Sequence, residues 1–388
     1  MIDIQGTVAA GFEKVADAFQ ANFEEFPEVG AGFSLVADGE VQVDITAGTA
    51  DRSTGRAWDD QTLQLVFSTT KGAAAICVAH LVDAGRLSYD DAVAAHWPEF
   101  SAAGKGEITV AQLMSHQAGL PYVDAVLSVD ELLAVDPVVA ALAAQRPIWE
   151  PGTAHGYHAV TFGWLAGELV RQIDGRTIGR YFAEEVAAPL GLDFWIGLPE
   201  SEEHRVSTLE SAPPPADVEA LAMALKIMGP GTMGFKALTM NGSLMALGAA
   251  AAQNPFNTRA LHATEMPAAN GITNARSLAT MYAATVGEVD GVRLLSPEVM
   301  RTASAEAVRG PDAALVAETR FGMGFMLENE LVPLLGPNAF GHAGAGGSLG
   351  QADPASGVGY GYVMNQMLAG IAGDPRTVRL NDAVRECL

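Results

Sequence analysis

Cysteine is nearly missing from this 388-residue chain: Cys77 lies in an apolar stretch and Cys387 beside the last residue, too few for a disulfide framework or a thiolate zinc site. Both are expected to be reduced. Positive charge is scarce as well, with 22 Lys and Arg against 46 Asp and Glu, a net charge of −24. Such a balance repels phosphate backbones and anionic lipid, so neither nucleic acid nor a membrane is expected as a partner. No apolar run approaches the roughly 18 residues of a membrane span. The opening Met1-Ile2-Asp3-Ile4-Gln5, continuing to Glu13 and Lys14, shows no basic start and apolar run of an export signal, and the expected location is the cytoplasm. What the chain has in quantity is apolar bulk. With 49% hydrophobic and 18% charged residues it can bury a large core, and its length allows two domains or one inserted into another.

Residue patterning predicts a helix over 7–22 and then a hairpin, in which Phe33 to Ala37 and Val41 to Ala47 flank Asp38-Gly39, a dipeptide suited to a type I′ turn. Three short Gly-rich strands are expected over 321–327, 339–344 and 357–365, with a closing helix over 375–387. The Ala- and Leu-rich middle carries helical patterns over 73–84, 137–144, 163–173 and 178–186. Strands, then helices, then strands again imply an α/β (α+β) fold: an antiparallel sheet built from both termini and flanked by helices, with a large, mainly helical insertion. The expected division is 1–66 with 284–388 as a discontinuous α/β domain and 67–283 as the helical domain. Within the latter, 223–245 holds five methionines and reads either as core helix with loops or as an adaptable apolar surface.

The chemistry begins at Phe67-Ser68-Thr69-Thr70-Lys71-Gly72, where an apolar run opens into a helix. Ser and Lys three apart at a helix start share one face, about 5 to 6 Å apart at Cβ, so Lys71 can reach the Ser68 hydroxyl. A lysine becomes a base for serine if apolar burial lowers its pKa from about 10.4 toward 7 to 8, and Phe67, Ala73, Ala74, Ala75 and Ile76 supply such surroundings. Alone, the tetrad equally suits a helix-capping serine beside a solvated lysine. Two further stretches bear on the choice: the turn-rich loop Trp149-Glu150-Pro151-Gly152-Thr153-Ala154-His155-Gly156-Tyr157-His158-Ala159, and Gly341-His342-Ala343-Gly344-Ala345 on a late strand.

In this order, the three sites resemble the serine β-lactamase and penicillin-binding-protein superfamily, with its Ser-x-x-Lys, Tyr-x-Asn and Lys-Thr-Gly or His-x-Gly motifs. The resemblance spans nearly the whole chain and is nearest to the family VIII carboxylesterases. Gly85-Arg86-Leu87, Leu113 to Leu120 and Asn270-Gly271-Ile272-Thr273 agree with it. It implies a β-lactamase/transpeptidase-like fold with the active site between the two domains. Ser68 would be the nucleophile, Lys71 the proton acceptor and Tyr157 the base or the proton relay to the leaving alcohol. The oxyanion hole would be the N–H groups of Ser68 and Ala345. His342, Gly344 and Tyr122 would border the substrate, with Tyr122 also a reserve for Tyr157. His116, His155 and His158 lie scattered without metal-ligand spacing, so neither metal nor cofactor is expected.

A second serine competes, since Gly346-Gly347-Ser348-Leu349-Gly350 matches the nucleophile elbow Gly-x-Ser-x-Gly. That device needs a helix after the serine and a histidine later in the chain. All eight histidines precede Ser348, and a turn and strand follow it, so its glycines are read as a loop bordering the active site. Ala159 replaces the Asn that would hold a substrate amide, and His342 replaces the lysine that would face a substrate carboxylate. Both changes favour a small, fairly apolar carboxylic ester over a β-lactam. The alternatives are a β-lactamase, a D-amino-acid peptidase or amidase, an acyltransferase, and a catalytically silent binding protein. Beyond the ester substrate, the expected partner is at most a second copy in a homo-oligomer.

Overall fold

A computed structural model describes residues 2–214, 218–245 and 254–388. The chain starts with strand β1 (Ile4–Val8), helix α1 (Glu13–Glu25) and the hairpin β2 (Gly30–Ala37) and β3 (Glu40–Asp51), to which the two-residue β4 (Arg56–Ala57) is added. The turn between β2 and β3 places Asp38 and Gly39 at φ of 51° and 78°, as a type I′ turn requires. Near the other end follow β8 (Val308–Pro311), β9 (Glu318–Phe321), β10 (Met326–Leu327), β11 (Phe340–Ala343), β12 (Leu349–Asp353) and β13 (Val358–Met364). These strands form a ten-stranded sheet in the order β1-β3-β2-β13-β12-β11-β10-β9-β8, with β4 beside β3 and every pair antiparallel. The two ends of the chain meet at β2 and β13, which pair from Ala31 with Met364 to Ala37 with Val358.

Period-two alternation decides what covers each face. Gly350, Gly359 and Gly361 point to one side, where a Cβ on Gly359 would fall 2.3 Å from the backbone of helix Ala275–Val286; the helix packs directly on β12, β13 and β2, and these glycines let it approach. That helix spans the boundary expected at residue 284. Gln351, Tyr360 and Tyr362 point the other way, Gln351 reaching Asn381 of the closing helix Pro375–Cys387, which packs on α1.

Between the sheet and the helical layer runs α2 (Thr70–Asp83), buried without interruption from Thr70 to Ala79. An apolar surface on all sides suits a helix enclosed on all sides. It packs on the helix Thr161–Asp174 and on β11. A small second sheet, β5 (Gln64–Leu65), β7 (Ile272–Thr273) and β6 (Phe194–Trp195), fixes the chain just before α2.

Three expectations change. The start is a strand and then a helix, not one helix over 7–22, because Ile4 to Val8 pair with Val43 to Ala47. Leu349 and Gly350, read with the glycine-rich loop at 346–350, instead open the buried strand Leu349–Asp353 held between β11 and β13. The span 321–327 is not one strand: β9 and β10 are separated at Gly322 to Phe325. Among the described residues, no helix is long and apolar enough to cross a membrane.

Candidate active site

Ser68 and Lys71 stand where sequence spacing puts them, at the first turn of α2. The approach is abrupt. Phe67 has φ of +45°, a left-handed conformation uncommon for a bulky residue, and its ring is held edge-on to Phe256 at 4.6 Å between centroids. From there the chain turns directly into the helix, with Lys71 N–H bonded to Ser68 O at 2.9 Å. The Ser68 side chain stays half-buried while Lys71 is wholly enclosed.

Lys71 Nζ lies 3.0 Å from Ser68 Oγ, 2.6 Å from the Ala159 carbonyl and 2.9 Å from the Ala268 carbonyl. In the neutral form two N–H bonds would go to the two carbonyls, leaving the lone pair to face the serine hydroxyl. Burial holds the Lys71 pKa well below the ordinary lysine range, and among the described residues no carboxylate pairs with it to offset this. Arg376, equally buried in the closing helix, shows the opposite solution, with Glu28 at 3.0 Å and Asp374 at 2.8 Å.

Tyr157 covers the amine, its ring centroid 4.7 Å from Lys71 Nζ. Burial pushes its phenol pKa up; the facing Ser68 hydroxyl opposes that, and the charge of Asp312 adds to it. His116 and His342 stand against this ring, His158 packs on His116, and His155 lies beside Phe321. His158 donates from Nδ1 to Gly156 O at 2.7 Å and accepts Leu120 N–H at Nε2, which fixes it as neutral, and burial pushes its pKa down to about 4. His116 accepts the His158 N–H at Nδ1 and stands 5.2 Å from the Tyr157 ring, and burial holds its pKa well down. His155 is bonded to Thr319. His342, expected to face substrate, is instead fully enclosed, its Nδ1 directed to Ala343 O and its ring 6.0 Å from Tyr157. Burial holds its pKa well down too. The histidines read as scattered thus form one packed, uncharged wall behind Tyr157.

The end of β11 closes the other side. A Cβ on Gly344 would fall 2.2 Å from Val66 O and 2.1 Å from Ser348 Oγ, so only glycine lets this strand lie against the turn before Ser68. Ala345 is the next residue along. Among the described residues, neither the Ser68 nor the Ala345 N–H has a recorded intramolecular acceptor. Ser348 is buried with its hydroxyl donating to Val66 O at 2.9 Å and lying 3.1 Å from Thr69 Oγ1; a strand follows it, so it is not a nucleophile elbow but a brace for the Ser68 turn. Tyr122 belongs to another set of contacts, with Lys236 Nζ 4.9 Å from its ring and Gln145 bonded to its carbonyl. Two features had no side-chain signal in the sequence: the carbonyls of Ala159 and Ala268, and the Asp312 carboxylate, which accepts the Tyr157 N–H at 3.0 Å. Among the described residues, no group of His, Cys, Asp and Glu is arranged to hold a metal ion.

Residues 19–383 match the family described as Beta-lactamase. The esterase/beta-lactamase LipL of Mycobacterium tuberculosis is 35% identical over 382 residues, covering 94% of this chain and 83% of the relative. A crystal structure of a family VIII carboxylesterase superposes with a TM-score of 0.88 at 42% identity over the whole of both chains. A penicillin-binding protein homologue from Caulobacter crescentus follows at 0.86 and 39%, again over the whole of both chains.

Proposed function

Because this chain belongs to the beta-lactamase family, we propose that it is a carboxylesterase that cleaves small, fairly apolar esters through an acyl-enzyme on Ser68. The observation that carries this is the full burial of Lys71, with no ion-pair partner among the described residues and its Nζ 3.0 Å from Ser68 Oγ. The three oxygens around Nζ would meet the hydrogen bonds of either form, but burial without a counter-ion favours the neutral one.

In the first half-reaction the Ser68 proton passes to Lys71 Nζ as Oγ bonds to the ester carbon. The resulting oxyanion takes the N–H groups of Ser68 and Ala345, at the N-terminus of α2, where the helix dipole favours negative charge. When the tetrahedral centre collapses, the phenol of Tyr157 gives its proton to the departing alkoxide and takes the proton that Lys71 received. Water then adds to the acyl carbon by the same route, releasing the acid and restoring Ser68. The raised pKa of the phenol supports Tyr157 as proton carrier and leaves Lys71 as the base.

Ester preference is supported by Ala159, whose methyl offers no hydrogen bond to a substrate amide, and by His342, enclosed and uncharged where a cation would meet a carboxylate. Hydrolysis of a strained β-lactam is the second reading. It is favoured by the relative named both esterase and beta-lactamase, and it would use the same acylation groups.

The test is pre-steady-state turnover of p-nitrophenyl acetate and butyrate by the native protein, Ser68→Ala and Ser348→Ala. A burst of one p-nitrophenol per chain that vanishes in Ser68→Ala is expected. Turnover that survives in Ser68→Ala, or that is lost only in Ser348→Ala, would overturn the proposal.

A further inference from the structure

Tyr157 carries its phenol on a stretch with no regular structure. From Pro151 to Val160 the chain is neither helix nor strand, so no ladder of backbone bonds fixes its ring. The anchor comes from 155 residues further on, in the turn between β8 and β9. There the Asp312 carboxylate, 3% exposed, takes the Tyr157 N–H on both oxygens at 3.0 Å. The same carboxylate accepts the N–H groups of Ala314 at 2.8 Å and Leu315 at 2.9 Å, and the Thr319 hydroxyl at 3.2 Å. Because Thr319 donates to Asp312, its oxygen is left to accept from His155 Nε2 at 2.8 Å. Ala313 N–H closes the clasp by donating to His155 O at 3.1 Å.

A buried carboxylate is costly unless its charge is met. Among the described residues Asp312 has no ion-pair partner, and four N–H or O–H groups meet its charge instead. A turn that needed only capping would be served by an uncharged side chain. The group this carboxylate reaches beyond its own turn is the backbone of Tyr157, whose ring also lies within 5° of parallel to that of Phe321 on β9. The turn and strand at one edge of the sheet therefore hold the tyrosine from both its backbone and its ring.

We propose that Asp312 is a positioning residue that, with Thr319 and His155, presents the Tyr157 phenol to Ser68 and Lys71. This rests on the acyl-enzyme reading above and adds to it the element that fixes the proton carrier. The titratable and charged groups facing Tyr157 are Lys71 from α2, His116 and His158 from the helical layer, His342 from β11, and Asp312 with His155.

The experiment is a double-mutant cycle on p-nitrophenyl butyrate, with each rate divided by the concentration of folded sites titrated with a fluorophosphonate. Asp312→Asn is expected to lower kcat about 10- to 100-fold with KM changed less than about threefold, the loss that a misplaced reacting group produces. In a Tyr157→Phe background the same change is expected to do nothing further, because the group it positions is gone. Thr319→Val, which keeps the carboxylate and removes one donor, is expected to cost a few-fold with the same background dependence, and it serves should Asp312→Asn fail to fold. An unchanged kcat in Asp312→Asn, or an equal loss in both backgrounds, overturns the proposal and marks Asp312 as a structural staple. Full turnover in Ser68→Ala sinks the acyl-enzyme reading itself and this proposal with it, whereas full turnover in Tyr157→Phe removes the proton carrier and overturns this proposal alone.

Discussion

Gly72, the residue after Lys71, tests the packing that sets α2 against the sheet. A Cβ built at this position falls 2.0 Å from Tyr282 Oη and 2.9 Å from its Cζ. The tyrosine has little room to retreat: it is fully buried, and its Cε2 edge lies against Gly350, where a Cβ would come within 2.5 Å. In an unpacked helix, Gly→Ala gains about 1 kcal/mol, whereas overpacking a core costs roughly 1–3 kcal/mol. With the overlap more than an ångström inside ordinary contact, the upper end applies, and Gly72→Ala is expected to destabilise by about 2 kcal/mol net. The colliding hydroxyl has no hydrogen-bond partner among the described residues, so Tyr282→Phe alone is expected to be neutral or stabilising by about 1 kcal/mol. Combining the two removes the 2.0 Å contact and leaves Cζ at 2.9 Å, a few tenths to be absorbed, so the double variant is expected to regain most of the loss. Urea unfolding with both midpoint and slope gives the energies. Single-turnover acylation follows Lys71, which α2 carries; about a 10-fold slowing is expected in Gly72→Ala, with recovery in the double variant. An alanine variant as stable as the native protein, or a double variant no better than the single, would refute the reasoning.

Lys71→Met keeps the side-chain volume and removes the base, and acylation is expected to fall about 100- to 10,000-fold. Its stability has a pH signature. Burial holds the folded amine below its unfolded value near 10.4, so the unfolded chain binds more protons across the interval between them, and native stability climbs with pH there. Lys71→Met is expected to flatten that climb, leaving a smaller slope of the same sign from Lys105, which burial holds at about 8. Urea midpoints from pH 7 to 10 check this, and an undiminished slope in the variant would contradict the burial argument. Gly344→Ala places a Cβ 2.2 Å from Val66 O and 2.8 Å from Thr69 Oγ1. It is expected to push Ala345 away from Ser68 and slow acylation about 100-fold, the scale of one lost oxyanion donor; native-like labelling by a fluorophosphonate would show the loop is not needed.

Local rules in the sequence reached the elements whose signals are short-range. Asp38-Gly39 marked the hairpin, and Pro375 after Asp374 marked the start of the closing helix, because a turn type and an N-terminal proline are written in adjacent residues. The strand Leu349–Asp353 was not legible: Leu-Gly-Gln-Ala-Asp is a poor strand by composition, and it is held by β11 and β13 on either side and by the helix Ala275–Val286 on its glycine face. Ile4–Val8 was lost in the same way, as an edge strand largely exposed and without alternation. At the candidate site, the i, i+3 spacing brought Ser68 to Lys71, and motif order added Tyr157 and the end of β11. Distance in sequence hid the rest. Asp312 announces nothing beyond a turn, and the carbonyls of Ala159 and Ala268 have no side chain to read. The histidine wall arises only when the loop at 155–158, the turn at 116 and β11 converge.

Since β2 must wait for β13, a ribosome making this protein releases the first half of a hydrogen-bonded seam roughly 320 residues before its complement, which at 5–20 residues per second is about 15 to 60 s. During that time a ribbon that is apolar apart from Ser34 has an unclaimed flank, a hazard for pairing between nascent chains. A circular permutant opened in the 38–39 turn or in an exposed helical connection, with the native termini linked, would change that delay while leaving the finished architecture intact.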